Sequence, residues 1–256
     1  NIPALINGLQ RKKIVVASAF KPFTIMTNKG NKTFSYGSLV IPVKNQKVSS
    51  EHIYNSISEL QKKLEINIYS VNSGFSTKGI DLGSGNIKPL KTPRVAMLIG
   101  NGVRSYEAGE VWHLLDTRVD MPITKISINY FERVSLDKYN ILIMVSGNYK
   151  FDSKITEKIK NWVSKGNTLI TIGSANNWAI KKKIVKEELV IQKKDTIKNK
   201  LDRKPYVDAR ENIGRERLGG VFIGVDIDKT HPIGFGYNDK NQVIYKNNLV
   251  WLKFSK

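Results

Sequence analysis

PRVAMLIGNGVRSYEAGEVWHLLDTR, residues 93–118, decides how this chain is read. Residues 95–99 form an unbroken apolar run of strand length, Gly100 and Gly102 mark a turn, and from Ser105 to about Arg118 apolar residues recur with helical spacing. An apolar strand that enters a glycine turn and then an amphipathic helix is the opening unit of an α/β sheet buried on both faces. Such sheets bind ligands beyond the carboxyl ends of their strands. Asn101, Ser105, Glu107 and Glu110, on the turn and the first helical turns, are therefore candidate ligand contacts, together with Ser174 at the end of the later strand TLITIG.

Downstream the pattern repeats. ITKISI (123–128), NILIMVSG (140–147) and TLITIG (168–173) read as strands. DSKITEKIKNWVSKG (152–166) reads as a helix with Asp152 at its cap and Gly166 at its stop. Apolar strands alternating with amphipathic helices predict a mostly parallel sheet covered on both faces. Upstream, the expected order is helix 3–10, strand 13–20, a hairpin through TNKGNKTFSYG, strand 38–43, helix 50–64 capped at Ser49, and strand 67–73. The shared rhythm predicts two related α/β units. The glycine-rich SGFSTKGIDLGSGNIKPLKTP (73–93) reads as a loop, which places the units at 1–90 and 91–256. NIPALINGLQRKK looks like a helix without its preceding strand, so the first unit is expected to be incomplete at its start and the chain to be a piece of a longer protein.

Beyond Trp178 the expectations are a basic helix from Ala179 to about Gln192, little pattern from Lys193 to Arg217, a strand in GGVFIGVDI, and a closing hairpin in 237–254 around DKNQ. Trp112, Trp162 and Trp178 are expected in the core.

The chain has 256 residues, 42 Lys and Arg against 22 Asp and Glu, and a formal net charge of +20. That charge suggests an anionic partner, and a basic nucleic-acid-binding module is one reading of it. Against that reading, lysine is scattered along the whole chain. The densest segment, 181–204, mixes ten basic with four acidic residues, and no nucleic-acid-binding motif accompanies it. No apolar run approaches the ~18 residues of a membrane span, and the first residues carry no signal pattern. Cysteine is absent, which excludes disulfides, thiolate metal ligands and a cysteine nucleophile within this chain.

Each motif has a chemical and a structural reading. GNGVRS (100–105) approximates a phosphate-cradling turn, but Ser105 replaces the third glycine and ITKISINY lacks the acidic residue that would hold a ribose, so no nicotinamide cofactor is expected. Glu110 and His113 share a helix face, yet a metal would need further ligands. Ser174 follows TLITIG on a strand-to-helix turn, the place of a nucleophile in hydrolase-like folds. A serine hydrolase would pair it with His231 or His113 as base and Glu107 or Glu110 as orienter. The structural reading makes Ser174 a helix cap, and THPIGFGY (230–237) a turn around His231.

KPFTIMTNKGNKTFSYGSLVIPV, SGFSTKGIDLGS, PRVAMLIGNGVRSYEAGEVWHLLDTRVDMPITKI, YNILIMVSGNY, IKNWVSKGNTLITIGSANNWA and DKTHPIGFGY resemble the region that follows the peptidase domain in large bacterial zinc carboxypeptidase-like proteins. That region is similar to the class I glutamine amidotransferase-like fold. The resemblance implies two flavodoxin-like units and an exported parent protein, with zinc expected only in an upstream peptidase domain. It does not bring the activity with it. His52, His113 and His231 are followed by IYN, LLD and PIG, so none begins a His-x-x-Glu zinc motif. Amidotransferase chemistry needs a cysteine on the turn where this chain has Gly173 and Ser174. The leading expectation is a non-catalytic accessory region that binds a small ligand or peptide, or packs on its own upstream peptidase domain.

Overall fold

The computed structural model describes residues 1–190, 205–215, 220–237, 239–246 and 250–253. The chain forms two compact units. One comprises Asn1–Pro93, Trp112–Pro122 and Val225–Gln242, the other Arg94–Val111, Ile123–Gly224 and Val243–Lys256.

The first unit opens with α1 (Ile2–Arg11), followed by β1 (Ala17–Ala19), β2 (Phe23–Thr27), β3 (Gly30–Phe34), β4 (Leu39–Val40) and α2 (Ser50–Leu64). β5 (Lys78–Gly79) and β6 (Ile87–Pro89) come after α2. α2 begins where its cap predicts, with the Ser49 hydroxyl accepting from His52 N–H, and ends at Glu65 in the left-handed conformation. Its apolar face, Ile53 and Leu60, packs with Leu5 and Leu9 of α1 and with Ile14 and Val16. Asn7 and Gln10, buried on α1, satisfy their amides on the carbonyls of Asp120 and Leu90.

The repeat of the parallel pattern expected in residues 1–90 does not appear. The two sheets, β4-β1-β6 and β3-β2-β5, have three strands each and are antiparallel throughout. Their strands are two to five residues long. β5 and β6 lie in the glycine-rich segment read as pure loop, whereas residues 67–73, read as a strand, form none and are held instead by a pair of bonds between Ser70 and Asn28. The hairpin of β2 and β3 stands where TNKGNKTFSYG predicts it.

The second unit contains β7 (Val95–Ile99), α3 (Ser105–His113, of which residues up to Val111 belong here), β8 (Ile123–Ser127), β9 (Ile141–Met144), α4 (Ser153–Ser164), β10 (Thr168–Thr171) and α5 (Ala175–Lys181). A single π turn, Leu114–Arg118, prolongs α3 to its expected end. The four strands form one sheet in the order β10-β9-β7-β8, all parallel and flanked by helices. β7 and β9, in the middle, are buried almost throughout, and the outer strands are only partly covered. Ala96, Leu98, Leu142 and Met144 pack with Phe131, Ile159, Trp162, Ala175 and Trp178 in the main core. Asp152 caps α4 through a bond from Ile155 N–H.

Three expectations need correction here. Trp112 is 39% exposed, while Trp162 and Trp178 are core. The basic helix begins at Ala175 and ends at Lys181, rather than running from Ala179 to Gln192. Gln192 and most of Lys193–Arg217 lie outside the described residues. In place of the hairpin expected within 237–254 around DKNQ, β12 (Asn241–Lys246) pairs with β11 (Val221–Asp226), the strand expected in GGVFIGVDI, and α6 (Ala209–Arg215) precedes them.

Candidate functional site

The strand order of the parallel sheet reverses between β7 and β9, since β8 follows to one side of β7 and β9 and β10 follow to the other. At such a switch point the turns leaving neighbouring strands diverge, and a crevice opens outside their carboxyl ends. Here the turns draw together. Arg104 N–H donates to Ser146 O at 2.9 Å, Asn148 N–H to Gly102 O at 2.9 Å, and Val103 bridges Gly147.

Glu107, on the first turn of α3, completes the closure. Its Oε2 accepts from Ser146 N–H at 2.9 Å, and Arg104 lies 4.0 Å from its other oxygen. Ser146 Oγ accepts from Ser174 N–H at 3.1 Å, and Ser174 Oγ accepts from Gly147 N–H at 3.1 Å. Three backbone donors at the ends of β9 and β10 thus point at acceptors supplied by the chain itself. Amide groups of this kind are what phosphate or carboxylate ligands meet in related crevices.

The turn from β10 into α5 carries the candidate nucleophile, Ser174. A nucleophile elbow presents its side chain from a strained residue on a sharp strand-to-helix turn. In this turn the residue at positive φ is Gly173, at +57°, which carries no side chain. A Cβ built there would lie 2.2 Å from Ser146 Oγ and 3.7 Å from Glu107 Oε2. Ser174 is one position further, in ordinary right-handed geometry, at the N-cap of α5. Its hydroxyl makes no cap bond to the helix, contrary to the capping reading, because it accepts from Gly147 instead.

Of the candidates named from sequence, the structure brings Glu107 and Ser174 into one network. Asn101, Ser105 and Glu110 are exposed around it. His113 is exposed and belongs, like His231, to the first unit. His231 Nδ1 accepts from Ile233 N–H at 3.2 Å, and His52 Nε2 lies 3.3 Å from Lys12 O. The loop around His231 is a packed turn. Phe235 meets Phe20 edge-on at 5.3 Å and rests on Gly37, whose φ of +77° and lack of Cβ let the ring approach. The Asp228 carboxyl, bonded by the Thr230 hydroxyl and N–H, is held below the usual carboxylate range. Among the described residues no group of three or more His, Asp or Glu side chains converges as a metal site would.

Ser146 and Gly147 do not stand out in sequence. The signal that could have found them is the SG pair directly after the apolar strand at 141–145, a turn that the strand order places beside the one at Gly173.

Beneath this network Tyr149 donates its hydroxyl to Val145 O at 2.7 Å. Burial, and secondarily the Glu107 carboxylate, push its phenol well above the ordinary value of 10. A folded-state pKa raised above the unfolded one means stability that is intact below about pH 10 and lost as pH rises beyond it. Tyr149→Phe is expected to be less stable than wild type at neutral pH, with the gap narrowing above pH ~10. Urea midpoints across that range provide the check.

Comparison with known proteins found no family model, no curated protein and no solved structure that matches the chain.

Proposed function

We propose that this chain is a non-catalytic accessory region of a zinc carboxypeptidase-like, exported protein whose peptidase domain lies outside these 256 residues. Its parallel sheet has the β2-β1-β3-β4 order of flavodoxin-like and amidotransferase-like scaffolds when its strands are renumbered from β7. The antiparallel sheets of residues 1–93 confine that likeness to the one unit.

The observation that carries the reading is Gly173. The turn position that would present a nucleophile holds a glycine, and the space beside it is filled by Ser146 and Glu107. A scaffold kept without its reacting group is suited to binding or packing. The ligand contacts would be Asn101, Ser105 and Glu110, which are exposed at the rim, together with Glu107 and Ser174 wherever a ligand displaces their internal bonds. Tyr106, 89% exposed on the first turn of α3, offers a ring to a neighbouring domain.

Hydrolysis of p-nitrophenyl acetate and of glutamine by the chain is expected to stay at background, and Ser174→Ala is expected to leave it there. Turnover above background that Ser174→Ala abolishes would establish the serine-hydrolase reading instead.

A further inference from the structure

Lys154, Lys158 and Trp162 stand four residues apart on α4 and so form one stripe along the helix. All three reach the connection between β8 and β9. Lys154 pairs with the Glu132 carboxylate at 2.8 Å, and the Trp162 indole N–H donates to Leu136 O at 2.9 Å. Lys158, between them, has no carboxylate partner among the described residues. Its ammonium donates to the backbone carbonyls of Phe131, Glu132 and Val134 at 3.2, 2.7 and 2.6 Å.

An ammonium has three protons to donate, and here three carbonyls take them. The oxygens come from the last turn of a 3-10 helix, Ile128–Arg133, and from Val134 just after it. Carbonyls at the end of a helix lack helical partners and concentrate negative partial charge. The buried Phe131 ring lies beneath the same nitrogen, 5.4 Å from it. A half-buried positive charge held by neutral backbone oxygens is the arrangement in which proteins hold a dehydrated monovalent cation. Hard divalent ions call for carboxylate ligands, and the one carboxylate in residues 128–134, that of Glu132, is committed to Lys154.

We infer that the carbonyls of Phe131, Glu132 and Val134 form a monovalent-cation site, filled in this chain by the tethered Lys158 ammonium, and that this charge locks the segment leaving β8. The ligand class is a small monovalent cation, potassium or ammonium. The locked segment borders the crevice, since a Cβ built on Gly100 would lie 3.7 Å from Ile128 N. Tyr130, 64% exposed, rides on it.

The test is thermal unfolding of the 256-residue chain and of Lys158→Ala in ammonium, potassium and tetramethylammonium chloride at one ionic strength, so that screening is the same in all three. Lys158→Ala empties the site and removes the stem that leads to it. Its melting temperature is expected to be about 4 °C higher in ammonium or potassium than in tetramethylammonium, which is too large for the site, once the small cation is about tenfold above its dissociation constant. Wild type, with its site full, is expected to lack that gain. Lys158→Met fills the path of the stem without bringing a charge, and is expected to lack it too. A Lys158→Ala protein that responds alike to all three salts, whether folded or unfolded in them, would overturn the inference. So would one that melts with wild type in tetramethylammonium, or a gain of equal size in wild type or in Lys158→Met.

Discussion

Gly173→Ala is expected to destabilise the second unit by about 3 kcal/mol. Two costs add. A φ of +57° is left-handed, a region where a Cβ costs roughly 1 kcal/mol, and that Cβ would stand 2.2 Å from Ser146 Oγ in a turn with no slack. Ser146 cannot swing aside freely, since its hydroxyl accepts from Ser174 N–H and its own N–H is tied to Glu107. The double variant Gly173→Ala/Ser146→Ala separates the costs. With Oγ removed, the nearest atom is Ser146 Cβ at 3.5 Å, an ordinary contact. In that background the alanine is expected to cost only about 1 kcal/mol, read from urea unfolding in a double-mutant cycle. A cost unchanged by Ser146→Ala would mean that the turn yields in some other way and that this space is not filled as described.

The same turn shows what sequence could and could not reveal. β7 and β9 were legible because central strands of a parallel sheet are buried on both faces, which leaves continuous apolar runs such as VAMLI and ILIM. α2 was legible because its cap at Ser49 and its apolar spacing agree. β5 and β6 were not. Lys78–Gly79 and Ile87–Pro89 have no strand propensity worth the name and are strands only because β2 and β1 offer them open edges. Residues 67–73 fail in the opposite sense: their composition suits a strand, yet Ser70 bonds to Asn28 in the hairpin turn rather than along a strand. The site divides along the same line. Glu107 and Ser174 could be named from their places on a helix and a turn. That Ser146 lies between them follows only from β9 sitting beside both β7 and β10, a non-local fact. Trp112 misleads for a related reason: helical spacing marks an apolar face, but not what covers it.

Glu107→Ala is expected to cost about 2 kcal/mol, chiefly by stripping the buried Ser146 N–H of its acceptor. The ion pair with Arg104 contributes little, because at 4.0 Å and with the guanidinium largely in water it is screened. Glu107→Gln separates the two contributions: it keeps an oxygen for Ser146 and removes the charge, and is expected to cost less than about 1 kcal/mol. The variant also bears on what the crevice does. With the carboxylate gone, the Ser146 N–H loses its acceptor while Gly147 and Ser174 keep theirs, so an external anion has one free backbone donor to bind. Phosphate or acetate should then raise the melting temperature of Glu107→Ala but leave wild type unchanged, since only the variant offers a site that favours the folded state. Stabilisation of wild type to the same extent would show that Glu107 does not occupy the anion position, and the ligand contacts would have to be sought further out, at Asn101 and Ser105. A Glu107→Ala protein as stable as wild type would remove the bond to Ser146 as the reason the crevice is closed.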